Sequence, residues 1–209
     1  MGNIGIQAWD GHKISRIARS LVIASCVLIL CGCYSASLSR ANVKSETGWS
    51  SQIYGRAQRI WWQDINLYVK ASNSVSRVAD ETKSNIFAIS LQFVPRIEDD
   101  LEFVPSEVTL LVPGLNPMKP TRVDRIKLIG YSMSMNIWDC GHGQLEKYEA
   151  GERYSIKKGF CLNLYFDTQP PSPDTEFILR LPELIRDKVE IKVPDLYFKK
   201  DKVMIYDFL

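Results

Sequence analysis

Cysteine is the residue type with the widest chemistry in this chain of 209 residues. Five cysteines occur, three of them close together near the N-terminus and two farther along, at Cys140 and Cys161. A thiol can accept a lipid, form a disulfide, ligate a metal or act as a nucleophile. Zinc needs three or four ligands, and a nucleophile needs a base, usually histidine. Because His142 is the one imidazole near the later pair, the spacing favours acylation or disulfide formation.

Catalytic motifs do not occur in the rest of the sequence. It contains no Gly-x-Ser-x-Gly elbow and no glycine-rich phosphate loop. We therefore assign no catalytic residue, no metal ligand and no cofactor, and we expect a protein that is not an enzyme.

The N-terminus has the features of a secretory signal peptide. Lys13, Arg16 and Arg19 precede an apolar run from Leu21 to Leu30, and a small residue and a cysteine follow. A retained membrane helix is the alternative. It is disfavoured because the strongly apolar part has about half of the ~20 residues that span a bilayer.

The residues that close this run are Leu30-Cys31-Gly32-Cys33. They resemble the lipobox of bacterial lipoproteins. The resemblance implies that residues 1–32 are removed and that Cys33 carries the lipid that attaches the protein to a membrane. In enterobacterial lipoproteins an Asp after the lipidated Cys retains the protein in the inner membrane, whereas Tyr34 stands here. The resemblance therefore implies the periplasmic face of the outer membrane.

With the leader removed and Cys33 acylated, Cys140 and Cys161 are the two thiols that remain. An even pair in an exported domain indicates one disulfide. Chain-entropy estimates put a crosslink over a loop of this length at ~3 kcal/mol. Two buried free thiols are the alternative.

Charge and length limit the partners and the number of domains. Removal of the leader takes three of the 26 basic and one of the 24 acidic residues, which leaves 23 of each sign. Such a balance argues against a nucleic-acid partner, which calls for a basic footprint. Residues 33–55 are rich in small and polar residues and predict a lipidated, flexible tether. Residues 56–209 suffice for one domain.

The body of the chain shows a period of two. Apolar residues alternate with small or polar ones from Phe87 to Phe93 and from Phe160 to Phe166, as half-buried strands require. With the turn clusters between such segments, the pattern predicts an all-β fold, an immunoglobulin-like antiparallel β-sandwich of about eight or nine strands. Proline lacks a ladder donor, so Pro182 and Pro194 are predicted at an edge or bulge.

A closed, lipocalin-like barrel is the alternative fold, and it would carry a small apolar ligand. The Gly-x-Trp signature of lipocalins is absent, because Gly48 directly precedes Trp49.

Aromatic residues are more numerous than one sandwich core needs. Alternation cannot place two adjacent tryptophans on the same face, so one of Trp61 and Trp62 is expected to project outward. Exposed Trp and Tyr beside Arg are typical of protein contacts. The candidate binding residues are Trp61, Trp62, Trp138, His142, Tyr148 and Tyr154.

These observations predict a membrane-anchored module that binds another protein. Two versions fit the size and address: an immunity protein that captures a secreted toxin, as accompanies type VI secretion, or an assembly component of an envelope complex. The alternative function is a lipocalin-like carrier.

Overall fold

The computed structural model describes residues 31–54, 57–71, 86–95, 101–128, 140, 143–146, 148, 151–156 and 160–208. The chain divides into two compact units. The smaller comprises residues 1–36 and 204–209, of which residues 31–36 and 204–208 are described and lie in strands. The larger comprises residues 37–203 and contains the core.

Strands dominate the described residues, with two short 3-10 helices at Ser45–Thr47 and Pro105–Glu107. The described strands are β1 (Cys31–Asn42), β2 (Ser50–Tyr54), β3 (Ala57–Trp62), β4 (Ile65–Ala71), β5 (Phe87–Pro95), β6 (Leu101–Phe103), β7 (Thr109–Leu111), β8 (Arg122–Leu128), β9 (Gly143–Glu146), β10 (Tyr154–Ser155), β11 (Phe160–Phe166), β12 (Phe177–Arg180), β13 (Leu184–Arg186), β14 (Val189–Ile191) and β15 (Leu196–Phe208).

These strands form three sheets. Sheet A has the order β1-β15-β12-β7, sheet B the order β2-β3-β4-β5-β11-β8-β9, and sheet C the order β10-β6-β13-β14. The central pairings of sheet B, β4 with β5 and β5 with β11, are antiparallel and run over seven and five residue pairs. The predicted all-β class with antiparallel sheets is confirmed. The described strands number fifteen rather than eight or nine, because short segments such as β6 and β13 were not recognised as strands.

One hydrophobic core joins the three sheets. The alternating apolar residues of β5 point into it, and Phe87 of sheet B meets Phe177 of sheet A edge to face, with ring centroids 5.5 Å apart. Phe93 of sheet B meets Phe103 of sheet C with centroids 5.1 Å apart. Sheet B therefore forms one layer of a sandwich, and sheets A and C pack against the same face of it.

The chain passes between sheets A and C at the two prolines. Pro182 follows β12 of sheet A and precedes β13 of sheet C, and Pro194 lies on the return path from β14 to β15. Both prolines thus lie in connections, where no ladder hydrogen bond is needed from a backbone N–H. The hairpin β13-β14 between them is an excursion from sheet A into sheet C.

The flexible tether predicted for residues 33–55 is not what the structure shows. β1 and β2 lie in this segment, and Leu38, Ala41 and Trp49 are almost fully buried. The prediction was wrong because it relied on the density of apolar residues, which is low here. Burial of a few side chains and pairing of the backbone with β3 and β15 order the segment instead.

Candidate functional site

Cys140 and Cys161 are joined by a disulfide, and their Cα atoms are 5.8 Å apart, within the range that this bond requires. Cys161 lies on β11 and pairs with Ile126 of β8. The two cysteines and Ile126 form a small buried cluster separate from the main core. Because the side chains that flank Cys161 alternate into the core, the disulfide lies on the opposite face of sheet B.

Cys33, the predicted lipid acceptor, lies in β1, four residues before the larger unit begins. Its acylation stays a prediction. No helix among the described residues is long and apolar enough to span a membrane.

Trp61 and Trp62 lie on opposite faces of sheet B. Trp62 packs against the core and stacks on Trp49, with ring centroids 5.9 Å apart. Trp61 pairs with Asn66 of β4, whose neighbours Ile65 and Leu67 point into the core, so Trp61 projects from the other face. Trp61 is partly exposed, whereas Trp62 packs against Trp49 and the core.

Arg59 holds the ring of Trp61 in place. Its guanidinium lies 5.1 Å from the ring centroid, and its Nε and Nη2 both donate to Oδ1 of Asn66, at 2.9 and 2.6 Å. The Asn66 amide in turn donates to the carbonyl of Val94 at 3.2 Å. Asn66 is nearly buried, so this chain of contacts ties Trp61 to the interior of sheet B. A ring held in this way loses little conformational entropy when a partner covers it.

Strand β2 is an edge of sheet B beside this ring. Its residue opposite Trp61 is Ser50, which has a small side chain. The five residues of β2 include no charge and no proline, the usual means of blocking a sheet edge. Ile53, on the opposite face of this strand from Trp61, exposes 59% of its surface. We call β2 together with Arg59 and Trp61 the edge surface.

The other predicted binding residues lie elsewhere. Tyr148 is half-buried, its hydroxyl donates to the carbonyl of Glu152 at 2.8 Å, and burial raises its pKa. Tyr154 is 3% exposed, so its prediction as a surface contact is wrong. It packs edge to face on Phe103, and burial raises its pKa. Trp138 and His142 lie outside the described residues.

Arg125 explains why Tyr154 is buried. The Arg125 guanidinium lies 5.1 Å from the centroid of Tyr154 and 4.4 Å from that of Phe160, and its Nε is 3.2 Å from a carboxylate oxygen of Glu146. This stack joins β8 and β11 of sheet B to β10 of sheet C. On the same strand Arg122 and Lys127 are exposed, whereas Arg125 is partly buried.

Sequence reasoning missed Arg59 and Asn66 as parts of the edge surface. The spacing of Arg59 and Trp61, two residues apart in a strand, places both on one face and was an available signal. The contribution of Asn66 depends on the register between β3 and β4, which no local pattern reveals.

Among the described residues, no group of three or more His, Cys, Asp or Glu side chains is arranged to hold a metal ion. Comparison with protein-family models, with curated proteins and with solved structures finds no match.

Proposed function

We propose that this chain is a lipid-anchored module of the bacterial envelope that binds another protein through the edge surface. It is held at the periplasmic face of the outer membrane by a lipid on Cys33. Its partner is a secreted toxin, with the chain as the immunity protein, or a component of an envelope complex. No enzymatic role is part of the proposal.

The observation that carries the binding role is the preorganised, partly exposed Trp61. Tryptophan and arginine are the residues most often responsible for affinity at protein interfaces. Here both occur side by side on β3, where Asn66 fixes Arg59, and the neighbouring edge strand β2 carries no charge. The Trp61 ring is not part of the described core and remains partly exposed, which supports a role in contact with another molecule.

The packing between the sheets supports a binder over the lipocalin-like carrier. A carrier needs an apolar cavity for its ligand. Phe87 of sheet B is in direct ring contact with Phe177 of sheet A, and Phe93 of sheet B with Phe103 of sheet C, so at these points side chains fill the space between the sheets.

The proposed periplasmic location is supported by the leader sequence and by the disulfide. Disulfides persist in oxidising compartments such as the periplasm. The bond between Cys140 and Cys161 is therefore in keeping with the export that the leader predicts.

The experiment that tests the binding role is site-specific photocrosslinking in bacterial cells. A photoreactive residue replaces Gln52 on β2, and in a matched control it replaces Leu145, an exposed residue on β9 at the opposite edge of sheet B. We expect a crosslinked protein at position 52, its loss when Trp61→Ala is added, and no such adduct at position 145. Equal adducts at both positions, or an adduct unaffected by Trp61→Ala, would contradict the proposal.

A further inference from the structure

We propose that the folded body lies directly against the membrane that holds its lipid, because the link between Cys33 and the body is too short to act as a spacer. This inference rests on the proposed acylation of Cys33. The partner surface involved is the lipid headgroup layer of that membrane.

The length of the link follows from where burial begins. Leu38 is 1% exposed and lies five residue steps after Cys33. A fully extended chain spans at most ~3.6 Å per residue, so these steps reach at most about 18 Å. A tether that ran freely to residue 55 would reach up to about 80 Å on the same scale. The structure therefore reduces the reach of the anchor severalfold.

Arg40 prevents the link from lengthening by release of β1. It is 4% exposed, its Nη1 donates to the carbonyl of Ala57 at 3.1 Å, and its Nε is 2.5 Å from a carboxylate oxygen of Asp201. These contacts join β1 to β3 of sheet B and to β15 of sheet A. Loss of the carboxylate partner would leave a buried cation unpaired, which is strongly unfavourable, so residues 37–42 of β1 stay in place with the rest of the larger unit.

Electrostatic attraction is not the reason that the body is proposed to lie against the membrane. Lys199, Lys200 and Lys202 are exposed on β15, next to β1 in sheet A. Lys200 pairs with Asp174, and Lys199 lies 3.9 Å from Glu176. Because acids accompany these lysines, we expect the body to stay at the surface of uncharged phosphatidylcholine bilayers and in high salt, where attraction between exposed charges is screened.

The test is neutron reflectometry of the processed, full-length lipoprotein in a supported phosphatidylcholine bilayer. We expect dense protein to begin within about 18 Å of the headgroups, which is the longest distance that the link can span. In a control variant, a flexible Gly/Ser segment of about 20 residues inserted between Ala36 and Ser37 should add a hydrated gap of roughly 25 Å.

Two further measurements separate the possible failures. Mass spectrometry of the N-terminal peptide comes first: a protein without acyl chains on Cys33 contradicts the proposed function itself. An acylated wild type with a hydrated gap as wide as that of the insertion variant overturns the inference and leaves the anchor intact. In Arg40→Ala, release of β1 should open residues 37–54 to added protease. If Arg40→Ala does not fold, the comparison of the hydrated gap between the wild type and the insertion variant still tests the inference.

Discussion

Arg180, the last residue of β12, and Asp195, the residue before β15, face each other as a bidentate pair. The Nε and Nη2 atoms of Arg180 donate to the two carboxylate oxygens of Asp195 at 2.9 and 2.8 Å. The pair joins the point where the chain leaves sheet A to the point where it returns. It thus closes the base of the β13-β14 excursion, next to both prolines of the connections.

This pair predicts a dependence of stability on pH. The hydrogen bonds from Arg180 lower the pKa of Asp195 in the folded protein. A carboxyl with a lowered pKa stabilises the fold above its unfolded pKa of ~3.9, and the contribution is lost as the pH falls through the lower, folded value. Because both side chains are partly solvated, we expect Asp195→Asn to cost about 0.5–1 kcal/mol at pH 7. Urea unfolding should show this difference shrink toward pH 3 or below; a difference that stayed constant would contradict the assignment.

Removal of the disulfide should destabilise the protein under oxidising conditions alone. Cys140→Ala breaks the bond to Cys161 and is expected to lower the free energy of unfolding by ~3 kcal/mol through loss of loop closure. In the presence of a reducing agent, the variant and the wild type should unfold at nearly the same urea concentration. Equal midpoints without the reducing agent would mean that the two thiols are not bonded in solution.

Trp49 tests whether residues 37–54 belong to the body. It is 4% exposed and stacks on Trp62. We expect Trp49→Ala to cost about 3–5 kcal/mol, as for other buried aromatic residues. The control is Glu46→Ala, an exposed residue of the same segment, which should change stability little. Similar unfolding midpoints for both variants and the wild type would instead support a flexible tether in this segment.

Replacement of Arg125 by lysine is expected to destabilise the protein although the charge is kept. In Arg125→Lys the charge beside Glu146 is kept, but the planar group between the rings of Tyr154 and Phe160 is lost. Since arginine and lysine differ at stacked sites, we expect a loss of about 1–2 kcal/mol. The control is Arg153→Lys at an exposed arginine, whose Nη1 lies 3.6 Å from a carboxylate oxygen of Glu102, and it should cost less. A chemical denaturation series of the two variants gives the comparison.

The strongest periodic patterns in the sequence predicted the fold class correctly. β5 and β11 are central strands of sheet B, with one face on the core, so their apolar residues alternate cleanly. β1 could not be recognised in this way, because an arginine paired with Asp201 stands among its buried residues. The sequence around Arg40 carries no sign of that distant carboxylate.

The candidate site was predicted only in part for a related reason. Alternation required that Trp61 and Trp62 face opposite ways, but the choice between them depends on Trp49, thirteen residues away from Trp62 and in the segment expected to be a tether. Tyr154 was assigned to a surface because aromatic residues are more numerous than one sandwich core needs. Its burial results from Arg125 and Phe103, which neighbouring strands supply.

Mass spectrometry of the protein isolated from bacterial membranes tests the central claim most directly. The account predicts a mature chain whose first residue is Cys33 with a thioether-linked diacylglycerol, and loss of both acyl mass and membrane association in Cys33→Ser. A mature protein that retains residues before Cys33, or that carries an unmodified thiol at this position, would contradict it.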